Sequence, residues 1–266
     1  MIVRYLARRA RGLGLVALAL LSSAAWAADV QVMISAGFYV PYAELAPVFE
    51  RASGHHLVTV RGPSVGDSPE AIPTRLAAGQ AADVVILDDA SADDLATRGL
   101  VRADSKVVLG RSQIGMMVRA GAHRPDIASV DAFRAALLAA RSIAYSDSTS
   151  GTYLVTTLFP RLGIAEQVMG KSRKVRGPPS GEPVAALVAR GEAEIGFQQV
   201  SEILHVTGAD FVGAIPAELQ PGFAYAGALT TAVREPEAAR ALLRFLASPE
   251  AAAAIAKAGL QPIAAR

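Results

Sequence analysis

Three short stretches gather hydroxyl side chains next to glycine: residues 35–39, 62–66 and 146–152. Serine and threonine hydroxyls donate hydrogen bonds to anions, and glycine lets backbone N–H groups come close. A helix that starts at such a stretch adds the positive end of its dipole. Together these features predict a site for a small anion held largely by neutral donors. The candidate ligand-binding residues in the three stretches are Ser35, Gly37, Phe38, Ser64, Val65, Ser148, Ser150 and Gly151. Helix capping selects the same residue types and explains any one stretch alone. Three of them at related positions favour binding. Arg61 and Arg176 lie beside candidate loops, and a guanidinium grips a carboxylate with two parallel bonds. Asp147 adds an acceptor.

Other chemistries were weighed on the same residues. Gly62-Pro63-Ser64-Val65-Gly66 matches the G-x-S-x-G elbow of serine hydrolases, with His123 and His205 downstream. A secreted hydrolase using Ser64 is therefore the alternative function. The elbow needs its helix directly after the serine, and Gly66-Asp67-Ser68-Pro69 delays it. His55 and His56 are adjacent and project in different directions on a strand, with no third ligand at helical spacing. No metal site is expected. There is no Walker loop and no usable dinucleotide fingerprint, so no cofactor is expected either.

These stretches need a scaffold. The chain has 266 residues, 52% hydrophobic and 19% charged, enough to bury a sizeable core. It has no cysteine, which excludes disulfides, thiolate metal sites and a cysteine nucleophile. Strand-like runs at 30–34, 57–60 and 83–87 alternate with helical stretches at 41–52, after Pro69, and after Ser91 as N-cap with Asp94 as its capping-box partner. That order predicts a parallel sheet between helices. Strands at 114–118, 142–145, 194–197 and 211–215 then alternate with helices at 130–140, 153–162 and 184–190. Two Ala-rich helices at 236–246 and 249–258 close the chain, the second capped by Ser248 with Pro249 at its first position. In open α/β sheets ligands bind beyond the carboxyl ends of strands, where all three hydroxyl-rich stretches fall.

The amino terminus has its own signature. Arg4, Arg8, Arg9 and Arg11 precede a short apolar run at 13–21, and Ala25-Trp26-Ala27 fits a small-x-small cleavage site. Residues 1–27 thus predict a cleaved export signal and a periplasmic location. Cleavage removes four arginines, which turns the formal charge from +2 to −2. A nucleic-acid partner loses its electrostatic support.

Four blocks carry a resemblance: "VQVMISAGFYVPYAELAPVFERASGH", "RLAAGQAADVVILDD", "SIAYSDSTSGTYLVTTLFPRLGI" and "VAALVARGEAEIGFQQVSEI". In these blocks the chain resembles the periplasmic solute-binding proteins of ABC importers, and among them the molybdate-binding type. The resemblance implies a type II periplasmic binding fold of α/β class: two Rossmann-like lobes around a central cleft, joined by two crossover hinge strands. These are placed near 112–119 and 223–234, giving lobe one as 28–111 plus 234–266 and lobe two as 112–233 with the crossovers. It implies a monomeric receptor without enzymatic activity that delivers a small anion to an ABC permease, with permease and ATPase on separate chains. The family's ligand positions fall at or next to Gly37 and Ser35, at Ser64, near Ser150, near Gly181, and near Gln199 in place of a tyrosine. Gln199 brings a donor and an acceptor. The ligand expected is a molybdate-like oxyanion or a small organic carboxylate.

Overall fold

The computed structural model describes residues 27–263. Apart from Ala27, the expected export signal lies outside them. The chain begins with β1 (Asp29–Ile34), α1 (Ala36–Ser53), β2 (His56–Arg61), α2 (Ile72–Ala77), β3 (Val84–Asp88), α3 (Asp89–Thr97) and β4 (Val107–Ser112). Next come β5 (Ile114–Arg119), α4 (Val130–Ala139), β6 (Ile143–Ser146), α5 (Thr149–Tyr153), α6 (Phe159–Arg161), α7 (Ala165–Met169), β7 (Ser172–Val175), α8 (Val184–Ala189), β8 (Ile195–Gln199), α9 (Val200–Ile203) and β9 (Ala209–Ala214). β10 (Phe223–Leu229), α10 (Pro236–Leu246), α11 (Pro249–Lys257) and β11 (Gln261–Pro262) complete it.

Two sheets result. One runs β11-β4-β10-β3-β1-β2 and the other β7-β6-β8-β5-β9. β1 pairs in parallel with β2 and β3, and β6 with β7 and β8. Every residue of β3 is buried, as its apolar run requires of a strand covered on both faces. Each sheet carries a core on both faces: α1, α10 and α11 pack on one side of the first, α2 and α3 on the other. Among the described residues, no helix is long and apolar enough to cross a membrane.

The chain changes sheet at Gln113, between β4 and β5, and again over 215–222, between β9 and β10. The second change was expected within 223–234. β10 instead belongs wholly to the first sheet, because it hydrogen-bonds antiparallel to both β3 and β4.

Local differences have local causes. α1 starts at Ala36 and not at Pro41, so two prolines lie inside it. Pro41 has no N–H, which leaves the Gly37 carbonyl without its helical donor. α2 starts at Ile72 with Pro73 in its first turn, and Pro69 remains in the loop before it. Ser91 is not the cap of α3. Asp88 is, accepting from the Ser91 N–H at 3.1 Å and the Ser91 hydroxyl at 2.7 Å. A carboxylate at the strand end outcompetes a serine three residues later. Asp83 is buried, and it ties the lobe together by accepting from the backbone of Gln31 at 2.8 Å, Arg234 at 2.7 Å and Glu235 at 3.2 Å.

Candidate functional site

The carboxyl ends of β1 and β3 in the first lobe meet those of β6 and β8 in the second, and a cleft of about 560 Å³, counting its mouth, lies between them. Three side-chain hydrogen bonds join the lobes around it. Thr149 donates to Asp88 at 3.1 Å, Ser112 donates to the Gln199 amide oxygen at 2.7 Å, and Ser201 donates to the Gly37 carbonyl at 2.7 Å. The last fills the acceptor that Pro41 leaves open.

The first lobe brings Ser35, Gly37 and Ser64 to the cleft. Ser35 sits between β1 and α1, its N–H held by the Ile86 carbonyl at 2.9 Å. Its hydroxyl is buried with no protein partner among the described residues, and it borders the cleft. A buried hydroxyl without a partner is costly, so its position fits a ligand group. The Ser64 hydroxyl accepts from the Asp88 N–H at 3.2 Å and keeps its own hydrogen to donate. The second lobe brings a cluster in which the Ser148 hydroxyl lies 2.6 Å from that of Ser146 and 3.0 Å from that of Ser150. Gln199 lines the cleft as well.

The remaining candidates lie elsewhere. Phe38 is fully buried in the first core, its ring tilted against Tyr225 at 6.2 Å. Val65 points to a shallow outer groove. A side chain at Gly151 would overlap the Ser146 carbonyl, and one at Gly181 would overlap the Arg176 carbonyl; both glycines serve tight backbone packing. Gly181 and Arg176 are exposed and away from the cleft lining. Arg61 stacks over Tyr39 at 4.0 Å and borders a side cavity beyond the cleft. Neither arginine is among the lining residues of the cleft, so a carboxylate there meets hydroxyls and N–H groups, beside the acids Asp88, Asp147 and Glu202.

The sequence reading missed two residues that change the chemistry. Glu202, on α9 directly after β8, borders both the cleft and the side cavity, and its remaining accessible surface faces them. Gln198 donates to it at 3.4 Å. Burial pushes its carboxyl up to about 7, against a hydrogen bond from the Gln199 backbone and the charge of Arg61. Tyr225, on β10, reaches the cleft from the opposite lobe. Burial, with the charges of Glu202 and Asp88 nearby, holds its hydroxyl protonated well above the ordinary tyrosine range. Glu202 stands three residues after Gln199 in a stretch already singled out, which was the available signal.

Ser64 has no base. Among the described residues no histidine lines the cleft, so the activated nucleophile of a serine hydrolase is not assembled.

Two lobes, a strand-end cleft and its ring of hydroxyls define a two-lobed binding protein, and the chain belongs to the bacterial extracellular solute-binding proteins, whose family matches residues 30–261. Its relatives narrow this. It is 48% identical over 235 residues, covering 88% of each chain, to a protein of Pseudomonas sp. named aconitate isomerase. It is 28% identical over 243 residues, 87% of this chain and 89% of the other, to the molybdate-binding protein ModA of Azotobacter vinelandii. The solved periplasmic molybdate-binding protein of Azotobacter vinelandii superposes with a TM-score of 0.70 at 21% identity, over 89% of this chain and 100% of that one. The expectation of a chain without enzymatic activity is corrected here, because a relative of 48% identity over most of the chain is named as an enzyme.

Proposed function

We propose that this protein is an aconitate isomerase, interconverting the cis and trans forms of that unsaturated tricarboxylate. One observation carries the proposal: Glu202, a carboxyl that burial pushes up to about 7, faces a cleft lined by hydroxyl donors together with Asp88 and Asp147. Ionised, such a group repels a molybdate-like dianion and a tricarboxylate alike, so its charge does not choose between them. A base that must take and return a proton near neutrality benefits from the raised pKa.

The chemistry follows from the substrate. Aconitate has one methylene, flanked by a carboxylate and by the double bond, and this makes its C–H the acidic one. Removing that proton leaves an allylic anion whose two end carbons are chemically alike. Returning it to the other end moves the double bond and exchanges cis for trans. Glu202 supplies the base, while Ser35, Ser64 and the Ser146–Ser148–Ser150 cluster supply donors to carboxylates. The 48% identical isomerase supports the assignment. Family membership and the export signal expected from residues 1–27 support action outside the cytoplasm, with an ABC transporter on separate chains as a partner.

Purified protein incubated with trans-aconitate should yield the cis isomer, followed by proton NMR, and the reverse. Tight binding of both isomers with no interconversion would overturn the assignment. A further expectation concerns Ser35. Ser35→Ala should weaken aconitate binding by about 1.5–3 kcal/mol, the scale of a bond to a charged group. It should leave the melting temperature of the free protein unchanged or raised, since the hydroxyl has no protein partner to lose. Calorimetric titration and a thermal melt read the two effects; a destabilised protein with normal affinity would make Ser35 structural.

A further inference from the structure

Removal of a methylene proton leaves negative charge on the acid, and the cleft needs a donor where that charge collects. Resting on the isomerase assignment above, we propose that Tyr225 is this donor: its hydroxyl binds the carboxylate oxygen that gains charge as Glu202 takes the proton. Three features of the fold aim it there. β10 pairs with β4 through a register shift at Tyr225 and Ala226, so that Leu109 of β4 is passed over. Such irregularities re-aim side chains beside sites. The ring packs on Phe38, and the residue is only 6% exposed. Its hydroxyl occupies the space above Gly37, where any Cβ would overlap it. Gly37 thus makes room for a tyrosine that arrives from a distant strand.

Base and donor stand on opposite lobes and border the same cleft. Burial and the neighbouring acids keep the phenol protonated, so it donates at any neutral pH. The step balances. The methylene C–H bond breaks and its proton passes to the Glu202 carboxylate. The electron pair spreads through the allylic carbons into the attached carboxylate, where Tyr225 donates. The proton then returns from Glu202 to the far carbon, which restores the free base and three ordinary carboxylates. Nothing is oxidised or reduced. A fixed donor in a site sheltered from water stabilises such an anion more than water does.

Tyr225→Phe keeps the ring and deletes the donor. Expected is a fall in kcat of roughly 10²–10³-fold, the cost of losing one donor to a developing oxyanion, with KM close to wild type. A nitro analogue of the substrate, whose nitronate form imitates the anion, should lose affinity by a similar factor while aconitate itself does not. Gly37→Ala, which displaces the hydroxyl without deleting it, should reproduce the kcat loss and covers the case in which Tyr225→Phe folds poorly. Unchanged kcat in a folded Tyr225→Phe protein, or a rise in KM alone, would overturn the proposal. Absence of isomerisation in the wild type would instead defeat the isomerase assignment on which it rests.

Discussion

Glu202→Gln is expected to end isomerisation and, above neutral pH, to make the protein more stable. The amide keeps the shape of the carboxyl but cannot accept the proton, so kcat should fall by about 10³-fold, within the usual range for loss of a general base. The stability effect follows from linkage. The carboxyl titrates near 7 in the fold, against about 4.3 in an unfolded chain. Its folded pKa is raised, so its contribution is fully favourable below the unfolded value and is lost as pH climbs through 7. Above that the ionised, poorly solvated group weakens the fold by roughly 2–3 kcal/mol. Glutamine never ionises. The variant should melt with the wild type at pH 4 and above it at pH 8, by roughly 4–10 °C for a domain of this size. Equal melting temperatures at both pH values would show that the carboxyl is well solvated, and undiminished turnover would place the base elsewhere.

Asp83→Ala carries the largest expected structural cost. One carboxylate accepts from three backbone N–H groups, of Gln31 in β1 and of Arg234 and Glu235 at the start of α10. Deleting it leaves three partly buried donors without their acceptor at the point where the final helices join the first sheet. A loss of about 2–4 kcal/mol is expected, since each stranded group costs about 1–3 kcal/mol when buried and water reaches these partly buried ones. Denaturant unfolding should show a lower midpoint at similar slope. Asp83→Asn, which keeps one acceptor oxygen, should fall between. A midpoint shift under about 1 kcal/mol in the alanine variant would mean that the loop re-forms its bonds without the carboxylate.

What was legible in the sequence was local. An Ala-rich run that opens on Pro236 marked the helix at 236–246, and the structure has it at the same bounds. Hydroxyls at strand ends marked Ser35, Ser64, Ser148 and Ser150, all of which border the cleft. What was not legible depends on contacts far apart in the chain. Glu202 follows a strand on a four-residue helix and looks like an ordinary solvated acid until the other lobe covers it. Tyr225 reads as one aromatic in a strand; only the pairing of β10 with β3 and β4 brings it over Gly37. The missing side chain at position 37 and the distant tyrosine are two halves of one feature, and no local window contains both. Arg61 failed for the complementary reason. Tyr39, a few residues along the adjacent α1, offers its ring face and draws the guanidinium away from the cleft.

Ser201 and Glu202 are consecutive, and this has a consequence for turnover. The Ser201 hydroxyl clasps the Gly37 carbonyl of the other lobe, an acceptor that exists because Pro41 cannot use it. The group that fastens the lobes and the proposed base therefore travel on one turn of helix, and the residue Ser201 fastens to is the one that seats Tyr225. Fastening and arming are a single displacement. On the proposed mechanism, parting the lobes would withdraw the base from the donor by the same movement that frees the acid. Such an arrangement would be an interlock: an open cleft would have no working acid–base pair to act on passing solutes, and a closed one would have it in place.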